Sequence, residues 1–126
     1  MVRSYRDLDV WKRSYALCIQ VYCASGRFPK DERFGLTAQM RRAAVSVPSN
    51  IAEGCGRRTT PDYLRSLYIA YGSICELETQ ILLATDLGFL EAADSERLVE
   101  ELGDIERMLK GLMRALESKV TAKEGR

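Results

Sequence analysis

Residues 95–118 read SERLVEELGDIERMLKGLMRALES, and within them Leu98, Leu102, Ile105, Leu109, Leu112 and Leu116 recur at alternating spacings of four and three. An unbroken heptad of this kind is the seam of an amphipathic helix, here running over 95–118 from a start at Asp94 or Ser95. Its other faces are charged, and residues 121–126 read as a frayed tail. One apolar seam needs partners, so the fold depends on whether the rest of the chain supplies more helices.

It supplies three. Working backwards, Thr60-Pro61-Asp62 is a helix start, with a hydroxyl cap, a proline where no amide is missed and an acid in the first turn; the helix runs over 61–87 with Gly88 as its C-cap. Leu64, Leu67, Tyr71, Ile74 and Ile81 share one face of it, whereas Ile69, Leu83 and Leu87 fall nearly opposite. From Ser66 to Glu96 there is no Lys or Arg. A helix apolar on two sides is sandwiched, one side in its own bundle and the other, through Ile69 and Leu83, against a second subunit. A helix over 31–54 carries Leu36, Met40, Ala43, Ala44, Val47 and Ile51 on one side and is expected to kink near Pro48, with Ser46, Ser49 and Asn50 re-satisfying the freed backbone. The first helix spans 8–25, capped by Asp7, with Leu8, Trp11, Tyr15, Cys18 and Tyr22 as its core stripe. Four helices with short connections make an all-α, antiparallel up-and-down four-helix bundle in a single domain of 126 residues.

Composition narrows the chemistry. The chain has no His, which removes the commonest general base and metal ligand, and the reading is that it is no enzyme and holds no cofactor or metal. Cys18, Cys23, Cys55 and Cys75 form no C-x-x-C pair, and no apolar run approaches the roughly 18 residues of a membrane span, so the chain is placed in the cytoplasm. Cys18 and Cys75 read as small buried hydrophobes, and Cys55, between glycines and close to Arg57 and Arg58, as inert for want of a His or a second thiol. Net charge is only +1, but residues 1–65 carry +6 and residues 66–126 carry −5. Such asymmetry fits a phosphate-binding face, and it equally fits head-to-tail docking between subunits.

Three constellations carry candidate chemistry. Glu76 and Glu78 fall on apolar sides of the third helix and, if buried, need partners such as Arg41, Arg42 or the Asn50 amide. The loop Gly54 to Arg58, running into the Thr60-Pro61 helix start, has the outline of an anion site but lacks a P-loop pattern, and the favoured reading is a helix connection with a glycine cap and solvated arginines. Lys12, Arg13, Arg41, Arg42, Arg57 and Arg58, joined by Arg3, Arg6 and Arg65, are the candidate nucleic-acid contacts. The aromatics Tyr5, Trp11, Tyr15 and Tyr22 are expected mostly in the core.

Longer motifs carry a resemblance. Phe28-Pro29, Glu32, Phe34-Gly35-Leu36 and the run Gln39-Met40-Arg41-Arg42-Ala43-Ala44-Val45-Ser46-Val47-Pro48-Ser49-Asn50-Ile51-Ala52-Glu53-Gly54, with Arg57 after it, resemble the signature of the bacterial 23S rRNA intervening-sequence proteins. Leu8, Val10 and Trp11 upstream match, as do Ile69-Ala70, Gly72-Ser73 and Glu76-Leu77-Glu78-Thr79-Gln80. The resemblance implies a closed four-helix bundle and a ring-shaped homopentamer. A related bundle, the accessory variability determinant of diversity-generating retroelements, is a basic pentamer that binds nucleic acid and a reverse transcriptase. In that light Pro48, Asn50, Glu53, Gly54, Gly72, Ser73, Glu76 and Glu78 read as residues of packing and assembly. The expected function is that of an oligomeric accessory protein binding RNA or a nucleic-acid-processing protein; the alternative is a protein-interaction scaffold without nucleic-acid affinity.

Overall fold

A computed structural model describes residues 4–124. Arg3, among the candidate contacts, and the last two residues of the expected tail lie outside the described residues. Four helices, α1 (Asp9–Ser25), α2 (Leu36–Cys55), α3 (Thr60–Asp86) and α4 (Ala92–Glu124), follow one another around a square. Each packs on its sequence neighbours and α1 closes against α4, while the backbones of the diagonal pairs stay farther apart among the described residues. This is the expected antiparallel bundle.

The core confirms three of the four expected faces. Leu36, Met40, Ala43, Ala44, Val47 and Ile51 of α2 are buried, with Leu64, Leu67, Ile74 and Ile81 of α3 and Leu98, Leu102, Ile105, Leu109 and Leu116 of α4. On α1 the face is different. Val10, Leu17, Val21 and Ala24 turn inward, and the aromatic stripe expected in the core lies on the outside, with Tyr15 and Tyr22 exposed and Trp11 half-buried. Helix α1 carries two apolar stripes, and the smaller aliphatic one fits the interhelical space.

Helix ends depart from expectation where local hydrogen bonds take over. A 3₁₀ turn at Tyr5–Asp7, capped by Ser4, uses the Asp7 carboxylate to accept from the Ser4 amide, so Asp7 does not cap α1. A second 3₁₀ turn at Lys30–Glu32 delays α2 to Leu36, whose amide donates to Glu32 Oε1 at 3.1 Å. Thr59, not Thr60, caps α3, its Oγ1 accepting from the Asp62 amide at 3.2 Å. Gly88 closes α3 as expected, at φ +79°, with its own amide donating to Thr85 O and that of Phe89 to Ala84 O. Helix α4 starts earlier than expected and runs through the expected tail. Ser95 is therefore no cap: it is buried inside α4 and its hydroxyl meets Thr85 Oγ1 of α3 at 2.8 Å.

Pro48 stays inside a continuous α2. The Asn50 amide donates to Ser46 O at 2.8 Å and Ser46 Oγ at 3.0 Å, and that hydroxyl meets Ser73 Oγ of α3 at 2.7 Å. The polar residues around the proline thus tie α2 to α3; none of them bonds the Ala44 carbonyl that the proline leaves without its amide.

The opposed charges of the two halves meet inside the subunit. Arg13 of α1 donates to Glu101 Oε2 at 3.1 Å and Asp104 Oδ2 at 2.9 Å of α4, and Arg27 lies 3.6 Å from Asp94. Hydrogen bonds from Arg13 and Arg107 hold the Asp104 carboxyl below the usual carboxylate range. A depressed carboxyl stabilises the fold above its unfolded pKa of about 3.9 and ceases to as pH falls through the lower folded value. Asp104→Asn is therefore expected to lose less of its thermal midpoint than the parent between pH 5 and pH 2, followed by circular dichroism.

Candidate nucleic-acid interface

Because α4 outlasts α1, its last turns run beside the loop joining α2 to α3. There Arg58, Lys119 and Lys123 line a cleft of about 370 Å³ with Thr59, Thr60, Pro61 and Val120. Among the described residues no carboxylate lines it, and none of the three cations forms an ion pair with a described residue. Lys119 and Lys123 escaped the sequence reading because α4 was expected to end at 118; continuing the helical period past Leu116 to Val120 was the available signal.

The helix start contributes little to this cleft. Pro61 has no amide hydrogen, the Asp62 amide is taken by Thr59 Oγ1 and the Tyr63 amide by Thr59 O, which leaves only that of Thr60. An anion placed here would therefore meet side-chain cations and not a cradle of free amides. Around the corner a smaller recess of about 190 Å³ holds Arg57 and Arg65 with Asn50, Glu53, Asp62, Ser66 and Ile69. There Arg57 is paired to Glu53.

The remaining candidate contacts are scattered. Arg13 is committed to α4. Arg41 donates through Nε to Ser25 Oγ at 2.9 Å and through a terminal nitrogen to Tyr22 O at 3.2 Å, and its guanidinium lies 4.6 Å from the Tyr22 ring centre. Lys12 and Arg42 are exposed. Neither arginine expected to partner Glu76 or Glu78 does so: Glu76 is exposed and accepts from Gln80 Nε2 at 3.2 Å, and Glu78 is half-buried. Among the cysteines, Cys75 is exposed and not buried as expected, whereas Cys18 is half-buried and burial pushes its thiol up. Cys55 lies against Tyr63, whose phenol is pushed up to about 12, chiefly by burial and then by Cys55.

A second concavity is apolar. Tyr5, Trp11, Tyr15, Cys18, Ile19, Tyr22 and Cys23 on one side and Val45, Pro48, Ser49 and Ala52 on the other line a groove of about 550 Å³ between α1 and α2. Tyr5 meets Trp11 edge-on at 5.1 Å and Tyr15 lies 5.1 Å beyond. No helix among the described residues is long and apolar enough to cross a membrane.

Fold and surface together define an all-α bundle with a basic cleft at one end and an apolar groove along one side. The chain belongs to the 23S rRNA-intervening sequence protein family, which it matches over residues 6–111. Among solved structures it is similar to a protein of unknown function from the S23 ribosomal protein family of Bacteroides thetaiotaomicron, with a TM-score of 0.78 and 18% identity, covering 83% of this chain and 95% of that one. At that identity the likeness concerns the fold. No curated protein matches the chain.

Proposed function

We propose that this chain is a non-enzymatic, self-associating bundle that acts in the cytoplasm as an RNA- or nucleoprotein-binding accessory protein, assembling as a ring of the pentameric kind. The observation that carries the RNA reading is the cleft of Arg58, Lys119 and Lys123, three cations that converge without an acidic partner among the described residues. Converging cations favour the phosphate backbone, and a chain of net charge +1 would apply that attraction at one end and not over its whole surface. Family membership supports the same reading by name only. Four free cysteines accord with a reducing compartment.

The test is a titration of the purified protein into a labelled structured RNA at low and near-physiological salt. The expected result is binding that weakens steeply with salt, because each phosphate neutralised releases counterions. Absence of binding at low salt overturns the RNA reading. The apolar groove favours a second reading, a protein-interaction scaffold; a tight, salt-independent protein complex together with no RNA affinity is its signature.

A further inference from the structure

At the end of the bundle opposite the basic cleft, the turn between α1 and α2 encloses a recess of about 170 Å³. Lys30 reaches it from the 3₁₀ turn, Arg33 from the exit of that turn and Arg41 from the second turn of α2. Among the described residues no carboxylate lines it, and none of the three cations forms an ion pair with a described residue. Asp31 and Glu32 belong to the same turn but do not line the recess, and Glu32 spends a carboxylate oxygen on the Leu36 amide.

Three features set this recess apart from a solvated cluster of charges. Arg41 is held in place, by Ser25 Oγ and Tyr22 O and by the face of the Tyr22 ring, and those bonds leave its Nη1 unengaged among the described residues. Thr37 lines the recess and is only 8% exposed, yet its hydroxyl has no partner among the described residues. A hydroxyl at that depth is ordinarily bonded, so the atom that completes it comes from within the recess. Helix α2, 20 residues long, also starts without a side-chain cap. Glu32 takes the Leu36 amide and Gly35 O the Gln39 amide, whereas the amides of Thr37 and Ala38 have no acceptor among the described residues. Those amides add the positive end of the helix to the three cations.

We infer that this recess binds one tetrahedral oxoanion of the phosphate type, free or as the terminal group of a small phosphomonoester. The guanidinium groups of Arg33 and Arg41 donate to its oxygens, Lys30 adds a point charge, and the Thr37 hydroxyl donates to an oxygen or accepts from a protonated one. At about 30 Å³ for each water, the recess has the volume of roughly five or six, which admits one such anion with some of its hydration and leaves no room for a nucleoside. The site is therefore separate from the RNA cleft in place and in ligand, and the inference is independent of the RNA reading. An anion seated here links the α1–α2 turn to the start of α2 and stabilises the folded chain by mass action.

Isothermal titration calorimetry of inorganic phosphate into the purified chain, at fixed ionic strength and without RNA, tests it. Saturable binding of one anion per chain is expected, with a higher thermal midpoint in phosphate than in chloride of equal ionic strength. Thr37→Val keeps the shape of the side chain and removes its hydroxyl, and is expected to bind phosphate about tenfold more weakly. Lys30→Ala/Arg33→Ala, which changes exposed residues, is expected to abolish saturation, with helicity by circular dichroism unchanged in both variants. Replacing Arg58, Lys119 and Lys123 with alanine is expected to leave phosphate affinity as in the parent. Glycerol 3-phosphate is the second arm: tighter binding than inorganic phosphate assigns the site to a phosphomonoester, and weaker binding assigns it to the free anion. No saturation of the parent at millimolar phosphate overturns the inference, as does parent-like binding by either the Thr37 or the Lys30/Arg33 variant. An equal loss in the Arg58/Lys119/Lys123 variant overturns it too, because the binding is then diffuse attraction. Phosphate binding by a chain that fails to bind RNA leaves this site standing and removes only the RNA reading.

Discussion

Gly54→Ala is expected to destabilise the bundle by about 2 kcal/mol, the cost of forcing a methyl group into a packed contact less the helix propensity it gains. Gly54 sits in the last turn of α2 and is buried against the start of α3. A Cβ there would approach Ser66 Cβ and Tyr63 Cδ1 to 2.9 Å and the Tyr63 carbonyl oxygen to 3.2 Å. Neither Ser66 Cβ nor the Tyr63 carbonyl is the loose end of a long side chain, so relief requires α3 to move away from α2. Gly56, two residues on, has open space around it, its nearest neighbours being carbonyls at 3.6 Å or beyond, and Gly56→Ala is expected to change stability by under about 0.5 kcal/mol. Chemical denaturation of the two variants beside the parent distinguishes a close helix contact at Gly54 from a general intolerance of the loop. Equal losses would show that the approach is looser than described.

Neutralising Arg58, Lys119 and Lys123 together by alanine substitution is expected to give the largest functional loss. If each cation meets a phosphate, the slope of log affinity against log salt falls by about 2–3, and affinity at low salt falls by a factor on the order of 100. The three are surface residues of a loop and of the last turns of α4, so oligomeric mass and helicity should be unchanged. The matched control is Lys30→Ala/Arg33→Ala at the opposite end of the bundle, which removes charge without touching the cleft. An equal loss in the control would assign the binding to diffuse charge. A loss confined to the triple variant assigns it to the cleft.

The fold was legible because the buried faces of α2, α3 and α4 announce themselves by period: aliphatic residues recur at helical spacing, without a competing stripe on α2 and α4, and on α3 as the longer of two apolar faces. Helix α1 was misread because it has a competitor. Trp11, Tyr15 and Tyr22 outweigh Val10, Leu17 and Val21 in apolar bulk, yet the narrow space facing α2 and α4 takes the aliphatics, and the aromatics remain outside as a groove. Helix starts were misplaced for another reason. Whether Glu32 reaches back to the Leu36 amide, or Thr59 rather than Thr60 turns its hydroxyl to Asp62, is settled by loop geometry that propensity does not encode.

The candidate interface was half legible. Arg58 and the glycine-bounded loop are visible as sequence neighbours, but Lys119 and Lys123 lie some sixty residues away and join Arg58 only because α4 is long enough to reach the α2–α3 loop. Conversely, Arg13 and Arg41 look like free cations in sequence, and the fold spends them on carboxylates of α4 and on Ser25 and Tyr22. Charge counts along a chain cannot separate these cases, since partnership depends on which helices become neighbours.

The ion pairs of Arg13 and Arg27 with α4 also bear on how the molecule assembles itself. The α1–α2 hairpin is the cationic part of the chain and the α3–α4 hairpin the anionic part, and the helix pair that closes the square, α1 with α4, is the most distant in sequence. Its closure would otherwise be the slowest contact to find, because it must bring together the two ends of the chain. Opposite charge on the two hairpins draws them toward each other before any side chain interlocks, and it disfavours a like-with-like exchange of hairpins between molecules. The same pairs that add little to final stability thus act as a homing signal during folding, one that added salt would mute.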